Sequence, residues 1–294
     1  MNVLVAVDSF KGSLSSLEAG DAVKTGILNV TPDAYVRVCP LADGGEGTVE
    51  ALTLGMGGRL EPLTVTGPLG EPIKSTYGII ENSKTAVIEM SAAAGITLIS
   101  KEEKNPLYTT TYGVGEIIKD AIQKGCRHFI VGIGGSATND GENGCSAIFG
   151  PQKGATPEMI KDMDSWLLQY ANLASEKYEK ADENYPGTGA AGGLGFAFLA
   201  FTNAVLESGA KIVFDETKLE DYIKEADLVI TGEGRLDSQT IMGKAPISVA
   251  KLAKKYEKKV IAFAGSVSND ACICNEYGID AFFPILRNIQ TLED

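Results

Sequence analysis

Residues 3–7 (VLVAV) form an unbroken apolar run, and residues 8–13 (DSFKGS) interrupt it with an acid, hydroxyls and a lysine. From Leu14 the apolar positions take helical spacing: Leu14, Leu17, Ala22, Val23 and Ile27. A run without polar alternation suits a parallel strand covered on both faces. Ser13 or Ser15 can cap the following helix, and Glu18 completes a capping box with Ser15. Asp8, Ser9 and Lys11 therefore fall on a short loop at the carboxyl edge of a strand, beside a helix start. In open α/β sheets that edge is where ligands bind.

The pattern recurs three times. Residues 35–41 (YVRVCPL) read as a second strand, followed by ADGGEG and a helix from Thr48. Residues 226–230 (ADLVI) read as a third, ending in TGEGRLDSQT, and residues 259–264 (KVIAFA) as a fourth, ending in GSVSND. With right-handed crossovers in a parallel sheet, all four turns emerge on one edge. They deliver Asp8, Ser9, Lys11, Asp43, Glu46, Glu233, Arg235 and Asp237 to one cleft. Carboxylates grouped with a lysine and an arginine are what magnesium-assisted phosphoryl transfer needs. Acids hold metal or take the acceptor proton, cations offset charge, and glycines admit backbone N–H groups to phosphate.

Between the second and third of these strands the pattern changes. Residues 61–66, 76–80 and 85–90 are short β-rich pieces separated by Gly-Pro and Gly-Glu-Pro turns, with a helix over 112–125 and a strand over 128–133 after them. The expected fold class is α/β: a Rossmann-like parallel-sheet domain over 1–58 and 220–294, with a second α/β domain inserted over 59–219.

Composition narrows the chemistry. A net charge of −13, with no offsetting basic run, argues against nucleic acid or an anionic membrane as partner. No stretch reaches bilayer-spanning length, and Asp8 and Lys11 break any signal-peptide pattern. The five cysteines (Cys39, Cys126, Cys145, Cys272, Cys274) show no CxxC spacing, which predicts free thiols and a cytoplasmic setting. The single histidine, His128, opens a strand and reads as structural, so Ser-His and Cys-His hydrolases drop out.

Walker A is absent: at Gly243-Lys244 the hydroxyl residue is replaced by Ala245. Two dinucleotide-type strings occur, GIGGSA at 132–137 and GTGAAG at 187–192. The first lacks the expected helix and acidic second strand; the second follows NYP, which is not a strand. Both remain candidates for phosphate-cradling loops, and 187–195 equally for close helix packing.

In one order the chain carries DSFKGS, PLADGGEGT, TVTGPLGEP, NPLYTTTYGVGE, GGSATNDG, FGPQKGAT, GAAGGLG and GEGRLDSQT. With these it closely resembles the bacterial glycerate 2-kinase family over nearly its full length. The resemblance implies ATP- and Mg2+-dependent phosphorylation of D-glycerate to 2-phosphoglycerate, in a two-domain protein with the site between domains. It implies catalytic roles for Asp8, Lys11, Asp43, Glu46, Arg235 and Asp237, with Lys11 and Arg235 on phosphate or the glycerate carboxylate. Asp43 and Asp237 are the metal candidates, and Glu46 and Glu233 compete with them for metal or base. Nucleotide contacts are expected from Ser9, Gly44, Gly45, Glu233, Lys244 and, in the second domain, Gly134, Gly135, Ser136, Thr138, Asn139 and Asp140. Oligomeric state is left open, a homodimer among the options.

Two departures stand out. The family continues through a further segment after GGSATNDG, whereas here Gly141 meets Glu142 directly, inside a Gly-rich run too long for a compact domain. The sequence also stops at Thr291-Leu292-Glu293-Asp294, where the family adds a closing helix. Two rival readings remain: an NAD-dependent oxidoreductase of small hydroxy acids using 132–137, and a non-catalytic organic-acid binding protein. The first needs an acid ending the next strand; the second has no use for so many carboxylates beside its cations.

Overall fold

The computed structural model describes residues 1–10, 13–42, 44–45, 47–134, 146–147, 150–242 and 244–286. Contacts divide the chain into two units, Met1–Asp43 with Gly47–Gly58 and Ala210–Asp294, and Gly44–Glu46 with Arg59–Gly209.

The first unit holds a five-stranded sheet: β1 (Asn2–Val7), β2 (Tyr35–Val38), β7 (Leu228–Leu236), β8 (Lys259–Val267) and β9 (Ala281–Pro284). Their order is β2-β1-β7-β8-β9, and every pairing is parallel. Val3 to Val7 are all 2% exposed or less, as the continuous apolar run requires. Val3, Val5 and Val7 cluster with Ala19 and the half-buried Val23, Ile27 and Leu28 of α1 (Ser16–Val30), while Leu4 and Ala6 point to the opposite face. Ser15 caps α1: its side chain accepts from the Glu18 N–H, and Glu18 takes the Ser15 N–H in return.

β7 and β8 run further than their sequences suggest. The third strand was expected over 226–230 and the fourth over 259–264; the ladder continues through Glu233–Ala264, Arg235–Ser266 and Leu236–Val267. Glycine-rich composition reads as a turn, but beyond Gly232, where the β1 pairing ends, β7 stays paired with β8, and this tertiary pairing overrides the local preference. Glu233 and Arg235 consequently sit on a strand, not on a loop.

The second unit contains β3 (Arg59–Thr66), β4 (Pro72–Ile80), β5 (Thr85–Glu89) and β6 (His128–Gly132) in that spatial order, antiparallel except for β5–β6. With α4 (Tyr112–Gln123) they enclose Tyr77, Ile79, Ile88, Val114 and Ile117, all nearly inaccessible. Tyr77 lies in that core with its hydroxyl donating to Asp120 Oδ2 at 2.6 Å, so its polar tip is satisfied. The same unit includes α5 (Pro157–Ser175), capped by Thr156, and α6 (Ala190–Phe201). Residues 210–219, expected in the inserted domain, group instead with the first unit; α7 (Gly209–Glu216) and α8 (Leu219–Glu225) bury Ala210, Val213, Leu219 and Ile223.

Gly232 marks where the central ladder is tightest. A Cβ there would lie 2.3 Å from the Phe263 carbonyl oxygen, a backbone atom that cannot swing away. Gly232→Ala is expected to lower stability by roughly 1–3 kcal/mol, the usual penalty for overpacking. Chemical denaturation checks this; an unchanged midpoint would show that β8 can shift.

Candidate active site

The carboxyl edge of the first sheet is built around the end of β7. Because strand residues alternate faces, Glu233 and Arg235 share one side, and Asp237, the next in that alternation, follows just beyond the strand. The Asp8 N–H donates to the Gly232 carbonyl at 2.9 Å, so Asp8 leaves β1 level with this set. Asp8 is buried, and its Oδ1 accepts the Ser9 N–H at 2.7 Å.

Glu233 is 7% exposed. Its Oε1 accepts from Thr240 Oγ1 at 2.6 Å, and Lys244 Nζ lies 3.4 Å from its Oε2. Lys244 is the residue before α9 (Ala245–Lys254), and its ammonium also lies 4.0 Å from Asp237 Oδ1. Asp237 Oδ2 is 3.3 Å from Arg235 Nε, and its Oδ1 accepts the Gln239 N–H at 2.9 Å. Burial pushes the Glu233 carboxyl above the ordinary range, against the opposing pull of Thr240 and Lys244. Cys274 packs beneath, its thiol 3.8 Å from the Asp237 carbonyl and raised to about 11, chiefly by burial and then by the Glu233 and Asp237 charges.

The structure thus gathers Asp8, Ser9, Glu233, Arg235, Asp237 and Lys244 in the first unit. Gly44 and Gly45 group with the second unit, as does Gly134 at the end of β6. Lys11, Asp43, Glu46, Gly135, Ser136, Thr138, Asn139 and Asp140 lie outside the described residues. Thr240 is the addition that sequence inspection missed. It is fully buried and ties Glu233 to the Asp237 turn, yet it belongs to the GEGRLDSQT string and could have been found by asking what satisfies a buried acid. His128 is exposed at the start of β6. Residues 181–189 contain no strand, so the string at 187–192 has no dinucleotide-binding context. A Cβ at Gly195 would lie 2.2 Å from the Gly187 carbonyl, which accounts for part of that glycine content by close packing.

A parallel α/β sheet with acids and cations at its carboxyl edge defines a small-molecule enzyme site of the group-transfer kind. The model of the Glycerate kinase family matches residues 3–144 and 141–294, and the chain belongs to that family. It is 43% identical to the glycerate kinase of Haemophilus influenzae, covering 100% of this chain and 93% of the relative, and 40% identical to the glycerate 2-kinase of Escherichia coli K12, with the same coverage. A crystal structure from Salmonella typhimurium LT2, carrying the provisional name glycerate kinase 2, superposes with a TM-score of 0.86 at 40% identity. It covers 100% of this chain and 92% of that one. As a member of a kinase family, the chain uses a nucleotide phosphate donor; the oxidoreductase and binding-protein readings find no support.

The alignment with the Haemophilus protein spans 354 positions and takes in all 294 residues of this chain, so about 60 of the relative's residues (354 less 294) have no counterpart here. The family match restarts at 141–144, at the junction where the sequence departs from the family pattern.

Glu233→Gln keeps the Thr240 hydrogen bond while removing a buried charge. A carboxyl whose folded pKa is raised penalises folding as pH rises from its unfolded value through its folded value. The variant is therefore expected to match the wild type in melting temperature near pH 4 and exceed it increasingly toward pH 8. A variant less stable at pH 8 would show that the Lys244 pair outweighs burial.

Proposed function

We propose that this chain is a glycerate kinase that transfers the γ-phosphoryl group of ATP, with Mg2+, to the 2-hydroxyl of D-glycerate. The observation that carries this is the Glu233–Arg235–Asp237 alternation at the end of β7, braced by Lys244 and Thr240. It is supported by full-length relatives whose names state glycerate kinase or glycerate 2-kinase.

Arg235, with a side chain 67% exposed, offers a planar fork to the glycerate carboxylate. In the reaction the glycerate 2-hydroxyl oxygen forms a bond to the γ-phosphorus, the bond to the bridging oxygen of ADP breaks, and the hydroxyl proton passes to a carboxylate. Glu233 is the candidate acceptor, since a raised pKa brings a carboxylate nearer to the working pH of a base. Lys11 is assigned to phosphate, Asp8 to orienting that loop, and Asp43 and Glu46 to further metal or proton contacts; of these, only Asp8 lies within the described residues.

Mg2+ fits the donors present. Among the described residues no three acids, cysteines or histidines converge as ligands. Magnesium typically takes one or two carboxylates, several waters and substrate phosphates; Asp237 is the described candidate donor, and Asp43, the other candidate, lies outside the described residues. When bound, the ion offsets charge on the transferring group. Cys39, Cys126 and Cys274 are buried free thiols and Cys272 is an exposed one, which supports a reducing, cytoplasmic setting. Among the described residues no helix is long and apolar enough to cross a membrane.

An ADP-release assay with D-glycerate, ATP and Mg2+, and NMR of the product, tests the reading; 2-phosphoglycerate is expected, and its absence under magnesium-replete conditions overturns it. Arg235→Lys is expected to raise the KM for glycerate by roughly 10- to 100-fold, because a lysine cannot engage both carboxylate oxygens. The KM for ATP should move little. An effect on ATP alone would transfer Arg235 to the phosphate side.

A further inference from the structure

One hydroxyl in the first unit is fixed in direction by its surroundings. Thr240 is fully buried and closes on Asp237 twice. Its N–H donates to the Asp237 carbonyl at 3.0 Å, and its Oγ1 accepts the Asp237 N–H at 3.1 Å. The same Oγ1 lies 2.6 Å from Glu233 Oε1. A hydroxyl has one hydrogen to give and two lone pairs to receive with. A backbone N–H can only donate, so the Asp237 contact uses a lone pair. The hydroxyl hydrogen is left for Glu233 Oε1, its one acceptor among the described residues. The β-branched side chain narrows the rotation that would undo this.

That hydrogen makes the two oxygens of Glu233 unequal. A proton on Oε1 would displace the Thr240 hydrogen and leave a buried donor without an acceptor, an arrangement that folded proteins avoid. Oε2 carries no such constraint. It lies 3.4 Å from Lys244 Nζ, and the Lys244 side chain is 35% exposed where that of Glu233 is 9% exposed. Of the two oxygens, Oε2 is the one beside a partly exposed partner.

We propose that Thr240 is a positioning residue for phosphoryl transfer: it holds Glu233 Oε1 as an acceptor, so that Oε2 is the oxygen that takes the proton of the acceptor alcohol. The proposal rests on the kinase reading and on Glu233 as proton acceptor; the choice of oxygen rests on the hydrogen-bond geometry. In the step, the alcohol O–H bond breaks as its oxygen bonds to the γ-phosphorus. The proton bonds to Oε2, and the bond to the bridging oxygen of ADP breaks. Neutralising Oε2 weakens its hold on Lys244, whose ammonium has Asp237 Oδ1 at 4.0 Å as its other partner.

Steady-state kinetics of Thr240 variants with D-glycerate, ATP and Mg2+ test it. Thr240→Val keeps the shape and removes the hydroxyl; kcat is expected to fall by roughly 10- to 100-fold, since a misplaced base forfeits much of its effect. The KM values for D-glycerate and ATP should stay within about threefold, because the hydroxyl touches neither. Thr240→Ser, which returns the hydroxyl, should recover most of the lost kcat. A double-variant cycle separates positioning from folding. In Glu233→Gln, adding Thr240→Val should lower kcat by less than about threefold, because the base that it positions is gone.

A Thr240→Val enzyme with wild-type kcat overturns the proposal, as does a Thr240→Ser enzyme equally slow, or a full loss repeated in the Glu233→Gln background. If Thr240→Val does not fold, Thr240→Ala is read in the same way. Product formation by the wild type is scored separately. A wild type that phosphorylates another hydroxy acid but not D-glycerate removes D-glycerate as acceptor, and the variants are compared on that acid. One that phosphorylates no hydroxy acid removes the kinase reading and this proposal together.

Discussion

The site in the first unit depends on the pairing of the far end of β7 with β8. β1 pairs with β7 as far as Gly232 and β8 as far as Leu236, so the β8 ladder keeps the chain extended through Leu236 even though its sequence there, GEGRL, favours a turn. Extension imposes a period of two, and that period groups Glu233, Arg235 and Asp237 on one side while Gly232 and Gly234 face the other. A slip of one residue would exchange the two sets. The close approach of Gly232 to the Phe263 carbonyl resists such a slip, since a side chain at that point would press on the β8 backbone. The arrangement of charges is thus a consequence of hydrogen-bond register.

Much of this was legible in the sequence. The apolar run 3–7, the Ser15–Glu18 capping box and the return of polar glycine-rich segments after each strand predict a parallel sheet, and the observed sheet is parallel throughout. The ends of β7 and β8 were not legible. Local composition carries no information about neighbours distant in sequence, and those neighbours decide how far a central strand extends. Thr240 escaped for a similar reason: a threonine in a turn looks solvated until the buried acid that it serves is located. That Ile133 and Gly134 line one cavity with Ala191 and Gly192 was equally hidden, because each string was tested against a motif that assumes a local strand–turn–helix.

At the carboxyl edge of the first sheet, acids and cations offset one another: Lys244 lies between Glu233 and Asp237, and Arg235 rests against Asp237. Burial raises the Glu233 carboxyl against the opposing pull of Thr240 and Lys244, so its proton affinity is set by where the strand places it.

The shortening relative to the Haemophilus protein falls where the second sheet can tolerate it. Among the described residues β6 is an edge strand, and its pairing with β5 is complete at Glu89–Gly132, before the junction at 141–144. Residues removed after that point take no hydrogen bond from the described ladder, and connections beyond a finished strand absorb length changes at small entropic cost. Helix faces in the same unit are a different matter. Trp166, Tyr170 and Leu173 lie along one face of α5 at helical spacing, with 55%, 49% and 62% of their surface exposed. Apolar side chains in register on one face are normally covered. The described β-ladder of this unit is thus continuous up to Gly132, while one face of α5 carries exposed apolar side chains.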